Sequence, residues 1–142
     1  MQDIVHDHEL NAQKRGITLK AESSSNQSEV YADIAMIHRV LENLMNNALK
    51  HTGSGGEITI RVTDAQDRAR IEVIDNGEGI ASQDIPHIFD RFYRPDTESQ
   101  TAGHGLGLAI VKRIVELHRS QIAVNSTRNQ GTEFSFWLPL PA

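Results

Sequence analysis

The stretch that most restricts this chain is residues 69–74 followed by Asp75-Asn76-Gly77-Glu78-Gly79-Ile80. Ile71, Val73 and Ile74 mark a buried strand. A strand that finishes on one acidic residue and two glycines places a carboxylate at the end of a sheet, aimed away from it. Gly77 and Gly79 let the backbone turn sharply and let a flat object approach it closely. An ionised carboxylate accepts hydrogen bonds and cannot donate them. Asp75 therefore suits an exocyclic amine such as that of adenine and discriminates against a guanine carbonyl at the same place. The same residues also make an ordinary Asp-Asn-Gly turn between strand and helix, and the stretch alone leaves both readings open.

A length of 142 residues gives one domain with one sizeable core. The chain has no cysteine, which removes disulfides and thiolate metal sites. No apolar run approaches a membrane span, and the start lacks a signal-peptide pattern, so the fragment is expected to be soluble and cytoplasmic. A net charge of −5 without a basic stripe argues against nucleic acid as the main partner. Of the seven histidines, only His6 and His8 show a metal-type spacing, and they sit in a start expected to fray. No zinc site is expected.

Residues 34–51 read as an amphipathic helix capped by Asp33, with Ile37, Val40, Leu41, Leu44, Met45 and Ala48 on a wide apolar face. Beside that face runs a polar row of Arg39, Asn43, Asn47 and Lys50. Asparagine costs a helix up to ~0.7 kcal/mol against alanine, yet Asn43, Asn46 and Asn47 all lie here. Amide oxygens are hard neutral ligands that can help hold Mg²⁺ beside a polyphosphate; bonding to water or to a loop is the plainer role.

Around this helix, residues 1–15 are polar with a weak helical period, and read as the tail of an element continuing upstream. Strands are expected at 17–21, 30–32, 58–62, 122–126 and 133–138, and a short helix capped by Ser82. Phe89 and Phe92 are expected core anchors, and Arg94 is placed to reach a phosphate. Residues 95–104 hold nothing apolar larger than alanine and are expected to form a mobile lid. Gly103-His104-Gly105-Leu106-Gly107-Leu108 then opens a helix whose buried row is Leu106, Ile110, Ile114 and Leu117. Glycines entering a helix N-terminus offer free N–H groups to an anion.

In order, HRVLENLMNNALKHT, DNGEGI, IFDRFYR and GHGLGLAI resemble the N box, first glycine box, F box and second glycine box of the catalytic ATP-binding domain of bacterial sensor histidine kinases, in the GHKL superfamily. Each motif is weak singly; the four in this order and spacing are specific, and the likeness covers residues 17–138. It implies a two-layer α/β (α+β) sandwich, the Bergerat ATP-binding fold, with a mixed, mostly antiparallel sheet packed on three helices. It divides the chain into a linker tail at 1–15 and a catalytic domain at 16–142. By resemblance, Asp75 reads the adenine amine, Gly79 lies beside the base, and Gly77 and Ile80 complete that box. Asn47 and Asn43 surround Mg²⁺ and the phosphates, with Asn47 as the firmer metal ligand. Lys50 and Arg94 contact phosphate, Gly105 and Gly107 face it, and Gly103, His104, Leu106 and Leu108 share that box. Thr132 helps a water bind adenine. His51 stands where the family often has a tyrosine against the nucleotide, and covers less area.

The turn His118-Arg119-Ser120 lacks the family's usual glycines, and His104 replaces a small residue. The family's phosphoacceptor histidine lies on a separate dimerisation domain. His8-Glu9-Leu10 imitates the start of its motif, but the following residues do not match. The resemblance thus implies a monomeric domain that binds Mg²⁺–ATP and donates the γ-phosphate to a histidine elsewhere in a homodimeric parent kinase, an inner-membrane protein, with a response regulator downstream. Glu42 is the candidate base for orienting the acceptor imidazole, against a plain role on a solvated helix face. The alternatives are a serine kinase of the anti-sigma-factor type and a nucleotide-binding interaction module without transfer activity.

Overall fold

The computed structural model describes residues 2–23, 33–91 and 107–139. In chain order the elements are α1 (Gln2–Lys14), β1 (Thr18–Ser23), α2 (Ile34–His51), β2 (Glu57–Ala65), β3 (Arg68–Asp75), a 3₁₀ turn (Ile85–His87), α3 (Gly107–Leu117), β4 (Ala123–Thr127) and β5 (Gly131–Pro139). The five strands form one sheet in the order β1-β2-β3-β5-β4. Only β1 and β2 pair in parallel, joined through α2 as the crossover; the remaining pairs are antiparallel. This is the expected mixed, mostly antiparallel sheet with helices on one face.

α2 forms where its pattern predicts. The Asp33 side chain accepts from the Met36 amide at 3.1 Å with an extended backbone, and so caps the helix. Val40, Leu44 and Met45 are essentially fully buried, each contributing about 1.5–3 kcal/mol of burial. They meet Ile58 and Ile60 from β2, Ile71 and Val73 from β3, and Phe134, Phe136 and Leu138 from β5 in one core. The period of two along each strand sends the alternate residues to the open face. There Glu72 lies between Arg61 and Arg70, at 3.8 and 3.7 Å, and Arg70 reaches Glu133 at 3.3 Å. Arg68 stacks 4.4 Å from the centre of the Trp137 ring.

Several expectations change. Residues 2–14 form a full helix that closes on the core through Ile4 and Ala12, each 1% exposed. The start is therefore not frayed. Two apolar side chains eight residues apart are enough when a sheet edge waits to receive them. The region after Ser82 makes only one 3₁₀ turn, with Asp84 rather than Ser82 at its start and Pro86 inside it. Helix α3 buries Val111, Ile114 and Val115, while Leu117 is 53% exposed. Packing against α2 selected a different row from the one its sequence suggested. Phe89 is half-buried and meets Phe134 edge-on at 6.1 Å. The expected strand at 30–32, the lid at 95–104 and Phe92 lie outside the described residues.

The glycine-poor turn after α3 resolves plainly. Arg119 takes φ +60°, the Ser120 amide donates to Val115 O at 3.1 Å, and the Arg119 amide to Glu116 O at 2.9 Å. That is a Schellman ending with arginine where glycine is customary. His118 Nδ1 bonds Ile114 O at 2.8 Å, and its Nε2 accepts from the Asp33 amide at 3.0 Å, tying the end of α3 to the start of α2.

Candidate functional site

β3 delivers Asp75 to the helix side of the sheet, at the end where β5 and β4 also turn. Asp75 pairs in register with Thr132, and Thr132 with Ser126. The three make a cross-strand row facing the helices. Asp75 is only 6% exposed, and its Oδ1 accepts from the Gly77 amide at 2.9 Å. Burial pushes its carboxyl above the ordinary aspartate value, with the Glu78 charge adding to the effect. Amides of Gly77 and Thr132 and the nearby His51 pull the other way without cancelling it. A carboxylate held here gains from a ligand that donates to it.

The loop after Asp75 is fastened on both sides. A Cβ on Gly77 would fall 2.2 Å from His51 O, so this residue is the price of close approach to the end of α2. Gly79 has φ +71°, and a Cβ there would fall 2.2 Å from Thr127 O. The Glu78 amide donates to His51 O at 3.0 Å, and Asn129 donates to Glu78 O at 2.7 Å. Asn76 Oδ1 accepts from the Glu57 amide at 2.8 Å. His51 Nδ1 contacts the Glu78 carboxylate, so the ring is already oriented by an acid.

On α2, Asn43 and Asn47 lie one turn apart and are both half-buried, while Asn46 and Lys50 are exposed. The Asn43 amide nitrogen donates to Gly107 O at 3.4 Å, which joins the N box to the first residue of α3. With the nitrogen so engaged, the oxygen of that amide is the atom left to serve as a ligand. Leu108 is half-buried and packs against the core. The structure thus brings together Asp75, Gly77, Gly79, Ile80, His51 and Thr132 at one end of the sheet, and Asn43 with Gly107 between two helices. Arg94, Gly103, His104, Gly105 and Leu106 lie outside the described residues. Glu42 is 30% exposed, and His8 Nε2 lies 3.0 Å from its carboxylate.

Ser126 is the site residue that the sequence did not disclose. Its hydroxyl accepts from the Ile80 amide at 2.8 Å, donates to Gly131 O at 3.0 Å and lies 2.9 Å from Thr132 Oγ1. It therefore fixes both the glycine loop and the threonine beside Asp75. Its only sequence signal is a helix-side position in a strand of otherwise ordinary polar composition.

A buried acid at a strand end, a glycine loop locked beneath it and paired asparagines on the adjoining helix define a nucleotide-binding α/β sandwich. Residues 32–142 match the family model described as histidine kinase-, DNA gyrase B- and HSP90-like ATPase, and the chain belongs to that family. Sensor histidine kinase YvrG of Bacillus subtilis is 40% identical over 131 residues, covering 92% of this chain and 23% of YvrG. The catalytic domain of histidine kinase ThkA superposes with a TM-score of 0.83 at 29% identity, covering 97% of this chain and 88% of that one. ThkA in complex with the response regulator protein TrrA gives 0.81 at 28% identity, over 99% of this chain and 39% of that one. Full-length ShkA in complex with AMPPNP gives 0.85 at 29%, over 99% of this chain and 30% of that one. Over nearly its whole length the chain is thus similar to the ATPase domain of sensor histidine kinases. The chain spans 23% to 37% of the length of the first curated relatives it matches. Among the described residues no helix is long and apolar enough to cross a membrane.

Proposed function

We propose that this domain binds Mg²⁺–ATP and presents its γ-phosphate to a histidine outside the chain, within a two-component sensor kinase. The observation that carries the reading is Asp75, a carboxylate kept buried and raised by that burial at the base of a glycine loop. An adenine amine donating to it would restore the solvation that folding removed. In this reading Thr132, held by Ser126, shares a water with the base, and His51, held by Glu78, borders the nucleotide.

The amide oxygens of Asn43 and Asn47 are a fitting donor set for Mg²⁺, being hard, neutral and one helical turn apart. When bound, the ion would neutralise phosphate charge. Lys50 at the end of α2 and Arg94 would offset the charge that grows on the transferred group. The acceptor imidazole is already a nucleophile, so positioning is the larger share of the domain's work. A base role for Glu42 requires its carboxylate to leave His8; unchanged transfer in Glu42→Gln would remove that role. A response regulator as the next acceptor is supported by the ThkA–TrrA complex.

Calorimetric titration with a non-hydrolysable ATP analogue and with its guanine counterpart, each with and without Mg²⁺, tests the binding reading. Adenine-selective binding strengthened by Mg²⁺ is expected. Folded protein that binds neither would sink it. Transfer is tested by adding a separate dimerisation domain and [γ-³²P]ATP, with an acid-labile phosphoprotein as the expected product. An acid-stable product would mark a serine kinase instead.

A further inference from the structure

Helices α1 and α2 meet through a cluster of side chains that nucleotide binding does not use. Asp7 and His8 come from α1, while His38 and Glu42, four residues apart, share one side of α2. His8 Nε2 lies 3.0 Å from Glu42 Oε2, and His38 Nε2 lies 3.6 Å from Glu42 Oε1. One ligand atom each from Asp7, His38 and Glu42 falls within 4.8 Å of the others.

Histidine spacing along the chain gave no zinc site, but the packing of α1 on α2 does: we propose that Asp7, His38 and Glu42 form a site for a first-row divalent cation, with Zn²⁺ the best match, and that His8 holds the outer oxygen of Glu42. Zinc bonds of ~2.0–2.1 Å to nitrogen and oxygen put tetrahedral ligand atoms about 3.3 Å apart. The His38–Glu42 separation already approaches that value. Asp7 and His38 are exposed, so small rotamer changes close the remainder. One imidazole among carboxylates favours zinc over the oxygen-seeking Mg²⁺. The His8 ring, only 13% exposed, donates to the carboxylate as outer partners of zinc ligands commonly do.

The alternative is a bare ion-pair cluster. Two carboxylates, from Asp7 and Glu42, converge there beside a ring nitrogen of His38, and a divalent cation would offset their charge. Such an ion would clasp α1 onto the helix that carries Asn43, the residue next to Glu42. Because it uses none of the nucleotide contacts, the site stands or falls independently of ATP binding, while an ion held there would take Glu42 away from the acceptor-orienting role.

The test is Zn²⁺ competition against a chelating dye on the nucleotide-free 142-residue chain, with Co²⁺ absorption as a readout of ligand geometry. One ion per chain is expected, with affinity falling at least tenfold in both His38→Ala and Asp7→Asn. His8→Ala should weaken binding by roughly 10–100-fold, the range for outer partners of zinc ligands. Zn²⁺ should also raise the melting temperature of the wild type and not of His38→Ala, whose exposed site leaves folding intact. His6→Ala, on the same helix, should bind as the wild type does. Equal affinity in wild type and His38→Ala, no uptake at all, or loss of binding in His6→Ala would each overturn the proposal.

Discussion

Asp75 is held at a cost that only a ligand recovers. Its carboxyl titrates above the ordinary aspartate value because folding buries it. The stability linked to its proton is present below the unfolded value of 3.8 and is lost as pH rises through the raised native value. At neutral pH the ionised form therefore weakens the empty domain. Asp75→Asn should leave the neutral-pH melting temperature equal or higher, with the difference from wild type shrinking as pH approaches 4. The same change should reduce ATP affinity by roughly 10–150-fold, the equivalent of a charged hydrogen bond of about 1.5–3 kcal/mol. Calorimetry and thermal scans on one sample separate the two effects. Arg119 offers a converse case, with φ +60° at the end of α3. Arg119→Gly should stabilise by about 0.5–1 kcal/mol, since a left-handed non-glycine residue costs about 1–2 kcal/mol and glycine returns part of that as unfolded entropy. Urea titration reads the gain.

At the scale of elements, the site is a junction between the glycine loop and the β4–β5 hairpin. Ser126 carries that junction with one hydroxyl serving three groups. Ser126→Ala leaves the Ile80 amide without its partner, and should cost about 1–3 kcal/mol in urea unfolding. Adenine binding should weaken in the same variant because Thr132 loses its anchor. A loss under about 0.5 kcal/mol would show that water replaces the hydroxyl. Helix α1 is the second element to test. Ile4 is 1% exposed, so Ile4→Ala should cost about 2 kcal/mol, the low end for such truncations because a terminal helix can relax. Unchanged stability would make α1 a detachable tail, whereas the expected loss makes it part of the folded unit.

For the whole molecule, two layers divide the work. The helix side of the sheet holds the core and, at one end, Asp75, Thr132 and Ser126; the open side is a lattice of Arg61, Glu72, Arg70 and Glu133. Glu72 is raised chiefly by burial and then by its bond to Glu133, with the two arginines opposing. Because a nucleotide binds only the native state, saturation at 100 times Kd should add about 2.7 kcal/mol of stability. In a domain of this size that is a rise of roughly 5–10 °C in Tm. Mg²⁺–ATP should produce it and Mg²⁺–GTP should not, and Asp75→Asn should lose it, as a thermal-shift series will show.

The sequence by itself determined the elements whose signals are local. The 34–51 helix follows from its apolar stripe and Asp33 cap, and the strand ending in Asp75 from its apolar run and glycines. The four motifs also marked Asp75, Asn43 and Gly107 before any of them had neighbours, and the wider resemblance marked Thr132. Only the tertiary structure decided which weak patterns were honoured. It made a packed helix of residues 2–14 because a core was there to take Ile4 and Ala12, and it turned α3 to bury Val111 and Val115 while Leu117 stayed exposed. It also decided the chemistry that depends on residues distant in sequence meeting: Ser126 under Ile80, and His8 against Glu42 across 34 positions. Periodicity and turn chemistry act over a few residues and can be read along the chain. Burial and hydrogen bonding between elements exist only once the sheet has brought them together.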